Sequence, residues 1–170
     1  MPLDKTDSDT NSPVKMSLAA RSNLRARERA ELRYYDDMGP GRGNCTWGAG
    51  ILAHKGPCTA AELKRPVSAA DISAEFSSRV ADAEKTVRVR VKHQVLDQDQ
   101  FDGLVSYTFN VGPRGAGKVL ELVDKGKLRE AAAKMSLMTR VRVKTKHGSK
   151  LVLARGLVSR RAEEIAPFRK

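Results

Sequence analysis

The chain has 170 residues, 40% of them hydrophobic, and its 32 Lys and Arg against 20 Asp and Glu give a formal net charge of +12. That length suits one core, the hydrophobic share is that of an ordinary soluble domain, and no apolar run approaches the length of a membrane span, which excludes a membrane-spanning chain. A surface this basic seeks polyanions such as nucleic acid, lipopolysaccharide or cell-wall polymers, and charge alone does not choose among them.

Residues 1–15 are rich in Asp, Ser, Thr and Pro and lack the apolar centre of a secretory signal. They read as a disordered tail ahead of a single domain over residues 16–170. Ser17 can cap a helix that runs through Leu18 and Leu24 toward Glu28. Gly39, Pro40, Gly41 and Gly43 then mark a loop. Thr46–Leu52 and His54–Thr59 are predicted to pair as a hairpin. Ser68-Ala-Ala-Asp71 resembles a capping box opening an amphipathic helix through Ile72, Phe76, Val80 and Ala83. Asp97 to Gln100 is a second capping signal. The helix after it, through Phe101, Leu104, Val105, Tyr107 and Phe109, is apolar on most sides and is expected to be buried. Val119–Val123 and Leu128–Met138 read as helices broken at Lys125-Gly126. Thr139–Leu153 alternates Val with Arg or Lys around His147-Gly148, which predicts a basic hairpin, and Leu157–Phe168 closes the chain as a helix. The fold class is therefore α+β: a small sheet lobe, a larger helical lobe and a cleft between them suited to a ligand.

Glu28, Asp37 and Thr46 are the residues of chemical interest. Two carboxylates beside a glycine-bounded strand suit glycoside hydrolysis, in which one carboxyl protonates the leaving oxygen and the other works on the opposite face of the sugar ring. The Thr46 hydroxyl can help hold a water. The segments Glu28-Arg-Ala-Glu-Leu-Arg-Tyr-Tyr35-Asp-Asp37 and Thr46-Trp-Gly48-Ala-Gly50, followed by Phe109-Asn110-Val-Gly112 and Gly156-Leu157-Val-Ser-Arg160-Arg161-Ala-Glu-Glu164, occur in the order found in one family. Together they resemble the phage-type lysozymes, the endolysins of the T-even and lambdoid phages, from about Leu24 to Phe168. The chain departs from that pattern at Arg29, where the family usually has Gly, and at Ile51, where it usually has His. Its spacer from Asp37 to Thr46 is also longer.

The resemblance implies a lysozyme-like fold and a muramidase that cleaves between N-acetylmuramic acid and N-acetylglucosamine with inversion. Glu28 would be the general acid, with Asp37 and Thr46 holding the water. It implies no metal or organic cofactor. Arg160 would help set the environment of the catalytic Glu, Asn110 belongs to the supporting motif, and Trp47 either stacks on sugar or packs in the core. A shifted register in the longer loop would hand a role to Glu31 or Asp36. The implied partners are peptidoglycan glycan strands and anionic cell-envelope polymers, met by a monomer. The protein would be made in the host cytoplasm without a signal peptide and released to the wall through a pore formed by another protein. The setting stays open between an endolysin and a virion-associated or injected enzyme. A cationic binding protein with little catalysis is the alternative from another class.

Cys45 and Cys58 flank the Thr46 strand and either stay reduced or close a disulfide. A metal site of Cys45, His54 and Cys58 lacks a fourth ligand and a recognised spacing. Gly112-Pro-Arg-Gly-Ala-Gly117-Lys118 fits a phosphate-cradling pattern, but Val119 stands where magnesium needs Ser or Thr, so it reads as a turn between helices and not as a nucleotide site. The basic stretches Val87–Lys92 and Arg140–Lys146 lack the interleaved aromatics of a nucleic-acid platform. Each is expected to turn one apolar face to the core and one basic face to solvent.

Overall fold

The computed structural model describes residues 14–169. The predicted tail lies outside the described residues except for Val14 and Lys15. Their carbonyls accept hydrogen bonds from Arg88 Nη1 (2.7 Å) and Gln98 Nε2 (2.9 Å). The described residues divide into two compact units, Leu18–Ala81, and 82–169 together with 14–17.

The first unit opens with helix α1 (Leu18–Arg27), then three strands, β1 (Glu31–Asp36), β2 (Cys45–Gly48) and β3 (Ile51–His54), and the single-turn helix α2 (Ala60–Leu63). The strands form one antiparallel sheet in sequence order, with Tyr35 opposite Thr46, Asp36 opposite Cys45 and Cys45 opposite His54. The predicted hairpin is thus corrected on its second arm: Ile51–His54 pairs with β2, and of the predicted arm His54–Thr59 only His54 lies in the paired strand. The chain reverses at Ala49-Gly50, and Thr59 leaves the sheet to cap α2. Its hydroxyl accepts from the Glu62 amide (3.2 Å) while the Glu62 carboxylate accepts from the Thr59 amide (2.7 Å), a complete capping box. Strand β1 has no counterpart in the sequence reading.

Helix α3 (Ala69–Arg90) runs through the division at Ala81. Its start carries the predicted cap, with the Asp71 amide donating to Ser68 Oγ (3.0 Å). It also absorbs most of the basic stretch Val87–Lys92, where Val87 and Val91 are buried and Val89 is exposed. Helical spacing therefore separates the apolar and basic residues there.

The second unit is built on α4 (Gln98–Asp124), capped by Asp97 and Gln100 in a reciprocal box. Every residue from Gly103 to Phe109 is buried, each large apolar side chain contributing roughly 1.5–3 kcal/mol. The turn predicted at Gly112–Lys118 is instead a kink in a helix that continues. Gly112 has φ 78° and ψ 166°, a region open essentially to glycine alone, and Pro113 restarts the helix at a position where its missing N–H costs nothing. Helix α5 (Leu128–Ser136), helix α6 (Arg155–Ile165) and a closing 3₁₀ turn at Ala166–Phe168 pack on α4. An added Cβ on Gly103 would stand 2.6 Å from the Glu164 carbonyl oxygen, so this glycine is what lets α6 approach α4 so closely.

Between α5 and α6 lies the hairpin of β4 (Arg140–Thr145) and β5 (Gly148–Leu153), paired in unbroken register from Arg140–Leu153 to Thr145–Gly148. Its turn falls where predicted. Its burial does not: all twelve strand residues are exposed, including Val141, Val143, Leu151 and Leu153. The expectation of one face in the core is therefore corrected. Alternation sorts the side chains into faces, but among the described residues no other element covers the valine face.

Candidate active site

Glu28, Asp37 and Thr46 all belong to the first unit, on consecutive elements. Glu28 is half-buried in the bend that ends α1, where its amide donates to the Arg25 carbonyl (3.2 Å) and Arg25 Nη1 donates to the Glu28 carbonyl (3.3 Å). Asp37 is exposed immediately after β1, and Thr46 is buried in β2, two register positions away across the sheet.

Asn44 ties the second and third of these together. Its amide donates to Asp37 Oδ1 (2.8 Å), its side-chain nitrogen donates to Asp37 Oδ2 (3.4 Å), and its carbonyl accepts from both the Asp37 amide (3.1 Å) and the Thr46 hydroxyl (3.3 Å). Its side-chain oxygen accepts from the Gly56 amide (3.2 Å). The close return of the loop depends on Gly43, which has φ +77° and where a Cβ would meet Asp37 Oδ1 at 2.0 Å. The longer loop is therefore folded back on Asp37. Asn44 was missed in the sequence; its only signal there was its residue type, a side chain able to bridge turn amides.

The neighbouring acids are engaged differently. Asp36 accepts from the Gly41 amide through one oxygen (2.6 Å) and from the Cys58 amide through the other (2.7 Å), which makes it a clasp for the loop. Glu31 is exposed and pairs with Arg33 (3.4 Å). Tyr35, opposite Thr46, has its phenol raised above the ordinary 10.0 by burial and by the Glu31 carboxylate.

Trp47 is half-buried beside Tyr34, with ring centroids 6.4 Å apart, and Arg65 lies over the Tyr34 ring at 5.7 Å. These residues line a groove of about 430 Å³ with Asp71 and Glu75. At the base of the strands, Cys45 and Cys58 are joined in a disulfide with Cα atoms 4.5 Å apart. His54 Nε2 meets Glu62 at 2.9 Å beside them. The Thr59 amide, then His54, hold the Glu62 carboxyl down to about 2, while the Lys55 carbonyl and Glu62 raise the His54 imidazole.

Arg160 and Asn110 belong to the second unit, Arg160 in a buried charge network and Asn110 at its exposed edge. Glu164 accepts from Ser106 Oγ (2.6 Å), Arg160 Nε (3.0 Å) and Arg161 Nη1. Arg160 also donates to the Ser106 carbonyl (3.0 Å). Arg161, which the sequence reading passed over, donates to Asn110 Oδ1 and to the Met138 carbonyl (3.0 Å), and lies over the Tyr107 ring at 4.8 Å. One carboxylate thus compensates two buried guanidinium groups through charge-assisted bonds.

The sequence profile of the phage lysozyme family matches residues 25–164. The muramidase domain of SpmX from Asticaccaulis excentricus is 27% identical, with a TM-score of 0.66 over 92% of this chain and 98% of that one. The endolysin of Escherichia coli O157:H7 phage FAHEc1 is 24% identical, with a TM-score of 0.68 over 92% and 94% of the two chains. A P22 lysozyme is 22% identical, with a TM-score of 0.61 over 92% and 99%. No curated protein matches the sequence. Fold and profile together define a lysozyme-type glycoside hydrolase. The chain belongs to the phage lysozyme family.

Proposed function

We propose that this protein is a peptidoglycan-degrading muramidase of the endolysin kind, which cuts between N-acetylmuramic acid and N-acetylglucosamine. The observation that carries the assignment of roles is the Asn44 hub, which holds the Asp37 carboxylate and the Thr46 hydroxyl on one short piece of backbone. Asp36 has both oxygens committed to backbone amides, so it serves the loop and leaves the second carboxylate's role to Asp37.

In this mechanism the Glu28 carboxyl donates its proton to the glycosidic oxygen as the bond to the anomeric carbon breaks. A water on the opposite face, held by Asp37 and Thr46, attacks that carbon and gives its proton to Asp37. The product is inverted and no covalent sugar–enzyme bond forms. Neither step calls on a group outside the protein and the water. The Trp47–Tyr34 groove offers an aromatic wall for a sugar ring. Arg160 and Asn110 act from within the Glu164 network as supports.

The charge of +12 draws the enzyme to anionic envelope polymers. Among the described residues no helix is long and apolar enough to cross a membrane. The route to the wall in this reading is synthesis in the host cytoplasm and release through a pore made by another protein. The test is clearing of purified peptidoglycan. Glu28→Gln keeps the shape and loses the proton, and should fall by about a hundredfold or more, while Glu31→Gln should clear at near wild-type rate. The reverse result would move the acid to Glu31 and discard the assignment.

A further inference from the structure

The disulfide and the His54–Glu62 pair occupy one spot. Donor atoms of Cys45, His54 and Glu62 all lie within 4.8 Å of one another, and Cys58 Sγ is bonded to Cys45 Sγ in the same cluster. As a disulfide the two sulfurs carry no charge to offer a cation. As thiols they would complete a set of four donors. We propose that the dithiol form of this protein binds one zinc ion through Cys45 Sγ, Cys58 Sγ, His54 Nε2 and a Glu62 carboxylate oxygen.

The donor chemistry suits that ion. Two thiolates, an imidazole and a carboxylate are the ligand types zinc takes in four-coordinate, closed sites. The fourth ligand, absent from the sequence pattern of Cys45, His54 and Cys58, is brought in by α2. His54, Cys58 and Glu62 follow one another at four-residue intervals, and Cys45 joins them from β2 as the register partner of His54.

The surroundings already orient each donor. His54 Nδ1 sits 3.0 Å from the Lys55 carbonyl oxygen, which leaves Nε2 turned toward the cluster. A ligating histidine is commonly held in this way, its second nitrogen donating to a backbone carbonyl. Glu62 is fixed by the Thr59 amide (2.7 Å) and hydroxyl (2.9 Å). The Cys45 amide donates to the Gly56 carbonyl and the Cys58 amide to Asp36, both at 2.7 Å. The four side chains are therefore gathered before any ion arrives; to admit it, the S–S bond has to break, the two sulfurs have to separate, and the His54–Glu62 hydrogen bond has to open.

The exchange balances. A small thiol reductant supplies two electrons and two protons and leaves as its own disulfide, while the Cys45–Cys58 bond breaks into two S–H groups. Zinc then displaces those two protons, and the neutral imidazole adds through its unprotonated nitrogen. The Thr46 strand is pinned at the same two cysteines in both states, by a metal clip in reducing surroundings and by a covalent bond in oxidising ones. Bond cleavage makes no use of the ion, and the proposal stands independently of the muramidase reading.

The test uses the full chain, reduced anaerobically with a phosphine and titrated with Co²⁺ as the visible stand-in for Zn²⁺. One equivalent should bind, with a thiolate-to-cobalt charge-transfer band in the near ultraviolet and strong tetrahedral bands in the visible, and Zn²⁺ should displace it. The oxidised chain and a Cys45→Ser, Cys58→Ser double variant should show no charge-transfer band. His54→Ala and Glu62→Gln should each weaken cobalt binding by about tenfold or more, with circular dichroism of their oxidised forms unchanged. A weak six-coordinate spectrum in the reduced wild type overturns the proposal, as does a tetrahedral one that both variants leave unaltered. A reduced chain that loses its ordered structure and takes up no cobalt overturns it equally.

Discussion

The two hairpins of this molecule are alike in topology and opposite in construction. In β2–β3, Cys45, Thr46 and Gly48 are buried, a third strand pairs alongside, and a disulfide closes the base. In β4–β5, twelve exposed residues stand in two strands with no third partner among the described residues. An isolated two-stranded ribbon is marginal in water. The first hairpin is anchored by long-range ties, and in the proposed mechanism those ties hold the Thr46 hydroxyl and the Asp37 carboxylate in place. The second is held by its ladder and by the helices at its ends, which is enough for a strip of charge. On the proposed function, precision is built where side chains would meet a reacting bond, and omitted where a field would suffice.

The comparison can be broken most forcefully at the disulfide. Cys58→Ser, in chelator-containing buffer, should lower stability by up to about 3 kcal/mol, the loop-closure value for a bridge of this span. Thermal unfolding of the variant would show it, and an unchanged midpoint would mean that the first hairpin needs no anchor. Next in size is Thr46→Ala, which removes the hydroxyl bonded to the Asn44 carbonyl. It should slow peptidoglycan clearing by about tenfold, the worth of one well-placed hydrogen bond, whereas Val143→Ala in the other hairpin should leave the rate alone.

Neutralising Arg140, Arg142 and Lys144 should shift stability by less than about 0.5 kcal/mol, as for other exposed positions. It should weaken action on whole anionic cells and abolish part of its salt sensitivity, since a field this exposed is screened over about 10 Å at 0.1 M salt. Cleavage of a short neutral oligosaccharide should be unaffected. Equal losses on both substrates would show that the second hairpin takes part in cleavage.

The smallest effect is a titration. The His54 imidazole is raised above its ordinary 6.5 by the Lys55 carbonyl and by Glu62, so its contribution is fully present below that value and fades as pH climbs through the raised one. Glu62, held down to about 2, keeps its charge until strong acid, so its contribution is present above 4.5 and fades as pH falls toward 2. The pair is intact between those limits. A proton-resonance titration of His54 should give a midpoint above 6.5 that drops back in Glu62→Gln.

What the sequence disclosed follows from how each feature is encoded. The first half of helix α4 was legible because Asp97 and Gln100 announce its start and apolar residues recur on most sides of it to Phe109; its continuation past Gly112 was not, because the glycines and Pro113 read as a turn. The basic hairpin was legible as a hairpin, because alternation and His147-Gly148 are local. Its exposure was not, because alternation says which residues share a face and nothing about what lies over it. Strand β1 escaped because Glu31-Leu-Arg-Tyr-Tyr-Asp36 shows no clean alternation, and its pairing with β2 is interrupted between Glu31 and Tyr34. Asn44 and Glu62 escaped for a common reason: each acts through partners brought near by the chain's return, and a polar residue in a loop or a short helix carries no mark of that. Arg160 and Arg161 were distinguishable only by geometry, since adjacent arginines on a helix point in different directions.

The Glu164 network has a consequence for the order in which the protein is made. Ser106 and Asn110 are synthesised well before the arginines and the carboxylate that join them, and Gly103 keeps open the space that the Glu164 backbone will fill. Until that last helix emerges, the most buried stretch of α4 has an uncovered flank with no counterpart for its polar groups. The larger unit therefore completes its folding only after α6 has been translated, whereas everything that pins Asp37 and Thr46 has left the ribosome long before.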